Sequence, residues 1–127
     1  TRFNSANLTG ANLKAARMQG TRLIGATLAQ AQLHGVMARG ADFSAANLTG
    51  AELIGANLSG AIFDNAVLIA ADLSGADVSG ASFRDVRFTG AVLESLVGAE
   101  TADFEGACAT SSTQIGDLDL PSCEILN

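Results

Sequence analysis

Few side chains in this chain could do chemistry: a single histidine, His34, two cysteines, Cys108 and Cys123, and thirteen carboxylates. A histidine can serve as general base or metal ligand, but His34 is not paired with a nucleophile in any motif, and it follows Leu33 at a slot that reads as outward and solvated. Structural zinc takes four ligands, and no histidine or further cysteine stands near the cysteine pair. The glycines of GANLSG and LSGADVSG make no phosphate-cradling motif; they read as corners that want a residue tolerant of positive φ. Cys108 and Cys123 are fifteen residues apart. They form a candidate disulfide, worth about 3 kcal/mol for such a loop and implying an oxidising compartment. The alternative is two free, buried thiols that behave as small hydrophobes. Neither catalysis nor a cofactor is expected.

The elements that must position these groups obey one rule. Every fifth residue from Phe3 to Leu93 is bulky and apolar, with eleven Leu, five Phe, Met18 and Val78 among nineteen positions; only Ala38 is small. Two residues earlier, from position 6 to 91, Ala occurs fifteen times in eighteen, the exceptions being Thr21, Val36 and Val86. A period of five fits neither a helix nor a strand, so the chain reads as a repeat protein that turns a corner every five residues. Four corners close a square coil of twenty residues. Reading every twentieth residue sorts the lattice into core columns: Phe3, Leu23, Phe43, Phe63 and Phe83, resumed at Phe104; and Leu13, Leu33, Leu53, Leu73 and Leu93. A third column runs Leu8, Leu28, Leu48, Leu68 and Phe88. In the mixed fourth column Ala38 is offset by Val36, which keeps the buried volume level.

The units ANLTG, ANLKA, ADFSA, AELIG, ANLSG and ADLSG resemble the A(D/N)LXX repeats of the pentapeptide repeat family, over about residues 1 to 107. The resemblance implies an all-β fold, a right-handed quadrilateral β-helix of about five coils of four pentapeptides. The central Leu or Phe and the preceding Ala would face inward, the other three residues outward. Independently, stacked short strands bonded through their backbones give the same solenoid. Two segments are expected: a β-helix over 1–107 and a short non-repeat C-terminal cap over 108–127. Phe104 follows Phe83 by twenty-one residues, so an irregular corner or bulge falls near 94–101, around Gly98. In the cap, Ser111, Ser112 and Thr113 could start a helical turn and Pro121 end one, with Ile115, Leu118, Leu120 and Ile125 as an apolar lid over Phe104. The first coil has no comparable lid. Residues outside the sequence, a neighbouring domain or a second subunit would cover it, the last by self-association through this uncapped N-terminal coil.

Charge divides the rod. Residues 1–41 carry Arg2, Lys14, Arg17, Arg22 and Arg39 and no acid, giving +5; residues 42–127 carry Arg84 and Arg87 against all thirteen acids, giving −11. Such a field can steer a partner. With no Trp or Tyr and every Phe expected inside, nucleic-acid binding is not indicated. No apolar run approaches the roughly 20 residues of a membrane-spanning helix. A packed interior leaves no concave pocket for a small-molecule substrate. Val67 and Ile69, with Ile62 on the adjoining face of the same coil, form a candidate interaction patch. The expected function is a non-enzymatic protein–protein interaction or scaffolding module with an unknown protein partner, exported to a periplasm or thylakoid lumen, the alternative compartment being the cytoplasm. The alternative function, implied by resemblance, is a DNA mimic acting on DNA gyrase or topoisomerase IV as in quinolone-resistance members. The acids Asp42, Glu52, Asp64, Asp72, Asp77, Asp85 and Glu94 suit it, and the basic N-terminal half contradicts it.

Overall fold

The structure, a computed structural model, describes residues 2–110, 113 and 118–123 of the 127. Its building block is one tight turn per pentapeptide. The N–H three residues after a lattice residue donates back to that residue's carbonyl, as from Ala46 to Phe43 (3.0 Å) and Ala56 to Leu53 (3.1 Å). The last turn residue lies in the left-handed region at every corner from Ser5 to Ser95. Glycine fills most of these positions, but Ser5, Ala15, Gln30, Ala45, Asn65, Ala70, Asp85 and Ser95 adopt φ between 56° and 61°. For these L-residues the conformation costs about 1 kcal/mol each.

Successive coils stack in parallel with a fixed offset. Arg22 pairs with Asp42, Asp42 with Ile62 and Ile62 with Ser82, so each coil takes twenty residues and four turns. On one face the Leu48 and Gly50 N–H groups donate to the Val67 and Ile69 carbonyls (both 2.8 Å), and Val67 returns a bond to Ala46 (2.9 Å). The extended segments are shorter than the expected strands. Among the described residues only β1 (Arg87–Phe88) and β2 (Cys108–Ala109) form a ladder of two residues, and every other rung makes one isolated bridge. A corner every five residues leaves no room for more.

The interior is filled by the lattice residues and the small residues that precede them. From Leu23 to Phe88 every lattice side chain is at most 1% exposed. Phe43, Phe63, Phe83 and Phe104 stack face to face with ring centroids 4.7, 4.9 and 5.3 Å apart, close to the rise between strands. Val36 and Ala38 are both fully buried, in keeping with their exchanged volumes. Leu96 precedes Gly98, which stands at the next lattice position but takes the corner conformation. Gly98 has φ 76°, and a Cβ there would lie 2.8 Å from Ser79 Cα. The offset is 20 at Asp77 and Val97 and 21 at Ser82 and Asp103; a 3₁₀ turn at Ala99–Thr101 lies in the segment that holds the extra residue.

The ends depart from the column expectations. Phe3 is 42% exposed and Leu13 is half-buried, because no described coil lies beneath them to cover the first rung. Phe104 is half-buried as well: it stacks on Phe83 from one side and belongs to the last coil.

Candidate functional site

At the C-terminal end, β2 pairs with β1 and then receives one further rung, Ser122 against Ala109, with the Ala109 N–H donating to Pro121 O (2.9 Å). This brings Cys108 and Cys123 together as a disulfide with Cα atoms 4.9 Å apart, and both residues are 1% exposed. The bridge therefore ties the closing segment to the last paired rung. The Thr113 hydroxyl donates to the Phe88 carbonyl. The helical turn expected to start at Ser111, Ser112 and Thr113 would run through residues outside the described ones, and Pro121, its expected stop, accepts a rung bond from Ala109. Ser111, Ser112, Ile115 and Ile125 lie outside the described residues. Leu118 and Leu120 pack against the core.

The expected apolar patch separates into two parts. Val67 (38% exposed) and Ile69 (43%) line one open depression of about 250 Å³, with Arg87 and Thr89 of the next coil. Ile62 is also exposed, but it does not line that depression. It opens the preceding face, with Asp64 and the corner residue Asn65 between it and Val67. A second cleft, of about 370 Å³, lies at the C-terminal end between Leu93, Leu96 and Ala99 on one side and Leu118 on the other, with Glu100 and Asp119 also on its wall.

His34 faces outward but is half-buried rather than solvated. Its Nε2 lies 3.4 Å from Glu52 Oε2 in the coil above, and its Nδ1 is buried without a partner. Among the described residues no three His, Cys, Asp or Glu side chains are grouped to hold a metal ion.

Several carboxylates and amides have a local task that composition and column analysis did not reveal. Asp42 Oδ1 accepts both the N–H (2.9 Å) and the hydroxyl (2.6 Å) of Ser44, and Asn47 with Thr49, Asn57 with Ser59, Asp72 with Ser74 and Asp77 with Ser79 repeat the arrangement. The signal was present as Asp or Asn two residues before Ser or Thr, the spacing of an Asx turn. The Ser79 hydroxyl and then its N–H hold the Asp77 carboxyl below the usual carboxylate range; burial opposes this slightly, and Arg39 adds to it. Arg84 pairs with Glu105 (3.0 Å) and Asp103 (3.8 Å), all about half exposed or more, so the pairs add little stability.

These features define a solenoid with a filled interior and outward-facing polar rungs. The chain belongs to the pentapeptide repeat family: the model described as pentapeptide repeats matches residues 6–44, 26–65 and 61–95, with eight copies. Among solved structures it is similar to HetL of the cyanobacterium Nostoc sp. strain PCC 7120, a pentapeptide repeat protein involved in heterocyst differentiation regulation. That match has 30% identity over 89% of this chain and 61% of HetL, with a TM-score of 0.70. The chain thus spans about three fifths of HetL's length. A trypsin-treated form of QnrB1, a plasmid-mediated fluoroquinolone resistance protein, matches with 17% identity over 93% of this chain and 76% of that one, TM-score 0.51, a likeness of fold alone. A pentapeptide repeat protein of the Arabidopsis thaliana thylakoid lumen matches with 24% identity over 98% and 71%, but its TM-score of 0.38 is too low to carry an argument. No curated protein sequence matches. Among the described residues no helix is long and apolar enough to cross a membrane.

Proposed function

We propose that this chain is a non-enzymatic protein–protein interaction or scaffolding module, wound as a right-handed quadrilateral β-helix over residues 1–107 and closed by a cap over 108–127. The observation that carries the reading is the filled interior. Side chains from Leu23 to Phe88 leave no space within the coils for a substrate, so recognition falls to the outward slots and the ends. Val67 and Ile69 on the flat face and the exposed Phe3 of the first rung supply apolar contact area, the second suited to self-association. A site-specific photo-cross-linker placed at outward slots on each of the four faces, in the native cells, tests the reading. Discrete adducts confined to one face or one end are expected; no adducts, or equal labelling from every face, would overturn it.

The buried Cys108–Cys123 bridge supports an exported setting such as a periplasm or thylakoid lumen. Alkylation of the natively isolated protein without reduction should label neither cysteine. Labelling of both would place the chain in a reducing cytoplasm.

The DNA-mimic reading draws on the QnrB1-like fold and the acidic half, but two observations oppose it. The first two coils bear only positive charge. In addition, Asp42, Asp72 and Asp77 each hold their own turn. The chain should leave gyrase supercoiling unchanged, and inhibition would restore that reading.

A further inference from the structure

The five cations of the first two coils gather on one side of the rod. The face over Met18 and Ala38 carries Arg17 on its first coil and meets Arg39 at the corner that closes its second. Lys14 stands in the corner that leads into this face, and Arg22 follows the corner that leads out of its first coil, one rung above Arg2. All five are exposed, and among the described residues none makes an ion pair; Arg39 acts on Asp77 only at a distance. No acid lies within residues 1–41, and the opposite face of the same coils, Asn7 and Thr9 with Thr27 and Ala29, is uncharged. Like charges on neighbouring rungs repel, so an anion seated beside Arg2 and Arg22 relieves a cost the chain itself does not offset.

A separate feature of the backbone lies on the same face. The N–H of the first turn residue makes no backbone bond, and higher on this face a side chain accepts it: Asn57 takes the Ser59 N–H (3.2 Å) and the Asp77 carboxylate takes that of Ser79 (3.0 Å). In the first two coils Arg17 and Met37 hold the accepting slot, and neither has an oxygen to offer. Every residue of this face from 16 to 80 is described, and within the described chain the Gln19 and Arg39 N–H groups have no hydrogen-bond partner. Turn N–H groups are open at Ile54 and Ile69 too, but no group of cations surrounds them. Donors that elsewhere hold a carboxylate thus stand open where positive charge is densest.

We propose that this side of the first two coils docks an acidic segment of a partner protein, whose Asp or Glu carboxylates accept from the Gln19 and Arg39 N–H groups, as Asp77 does from Ser79, and lie among Arg17, Arg22 and Arg39. A carboxylate fits because the open donors stand where the chain's own carboxylate bonds higher on the same face, and complementary charge adds association rate and selectivity. With no Trp or Tyr in the chain, the face offers no aromatic ring on which a nucleic-acid base could stack. The inference rests on the reading of the chain as an interaction module and names the partner's chemistry.

The test is to select displayed random peptides of about ten residues against the intact, oxidised chain, measure their affinities, and follow amide exchange. Peptides rich in Asp and Glu are expected; the chain's net charge of −6 disfavours them, so only a local site enriches them. Their binding should weaken about tenfold or more on Arg17→Glu with Arg39→Glu, which reverses the field. It should weaken about threefold on Met37→Asn, which gives the Arg39 N–H an acceptor of the chain's own without a change of charge, as Asn57 does for Ser59. Thr27→Glu with Ala29→Glu, on the opposite face, should change it by less than about twofold. The Gln19 and Arg39 amides should exchange more slowly on binding. Peptides without acid enrichment, unchanged affinity for either variant of this face, or an equal loss from the opposite-face pair would overturn this site and leave the interaction reading standing. Tighter binding of single-stranded oligothymidylate or of phosphatidylserine vesicles than of the selected peptides, abolished by the same arginine changes, would overturn the partner proposed here. Cross-linking from all faces in native cells judges the broader reading separately.

Discussion

The middle coils and the C-terminal end solve the same problem by different means. In the middle, each rung is covered above and below by a like rung, so Leu53 sits between Leu33 and Leu73 and stability is shared along the stack. At the end, the described residues continue the repetition on only two faces of the sixth coil. A disulfide, a borrowed rung at Ser122 and two leucines take its place. The contrast teaches that redundancy makes the middle tolerant of variation in its outer residues and intolerant of variation within. The end depends on single, irreplaceable contacts.

The largest effect should come from breaking the middle. Leu53→Asp buries a charge with no partner between two leucines and should cost about 4 kcal/mol or more, seen as loss of the cooperative thermal transition. A melting temperature like that of the parent would show the column to be wrongly placed. Next, Cys108→Ser with Cys123→Ser should cost about 3 kcal/mol at the cap. Amide exchange should quicken around Ala109 while Leu48 and Leu53 keep their protection, because only neighbouring rungs are coupled; equal quickening throughout would erase the distinction drawn between the two regions. A smaller change of opposite sign is expected from Ala45→Gly, which relieves φ 57° at a middle corner and should raise stability by about 1 kcal/mol in denaturant titration.

The smallest effect concerns pH. The folded-state pKa of Asp77 is lowered, so its turn contributes stability above the ordinary carboxylate pKa of 3.8 and loses it as pH falls through the lower folded value. Asp77→Asn keeps the acceptor for Ser79, as Asn57 does for Ser59. It should match the parent at neutral pH and lose less stability as the pH falls below the ordinary carboxylate value of 3.8. An identical acid profile for the two proteins would remove Asp77 from that account.

The columns of this fold were readable because a period of five forces alternate roles on fixed positions, and the extra residue between Phe83 and Phe104 is plain once the columns are aligned. Other features depend on three-dimensional neighbours. Whether Phe3 is covered depends on what lies beneath it. Gly98 looks like a break in the pattern until Ser79 is found to occupy the space of a Cβ.

The constant offset of twenty also governs how the chain can fold. Each new coil closes a loop of the same length whatever the length of the rod, so the entropic cost of closure is repeated at each step without growing. Winding can begin at one coil and extend by addition to a finished edge, and long-range pairing never has to be searched for across the whole chain. The same arithmetic makes twenty residues the unit of evolutionary or engineered change. Excising 41–60 should leave every column in phase and yield a shorter rod that still melts cooperatively, whereas excising a single pentapeptide such as 41–45 shifts the columns by one face at the junction and sets Phe63 over Ala38.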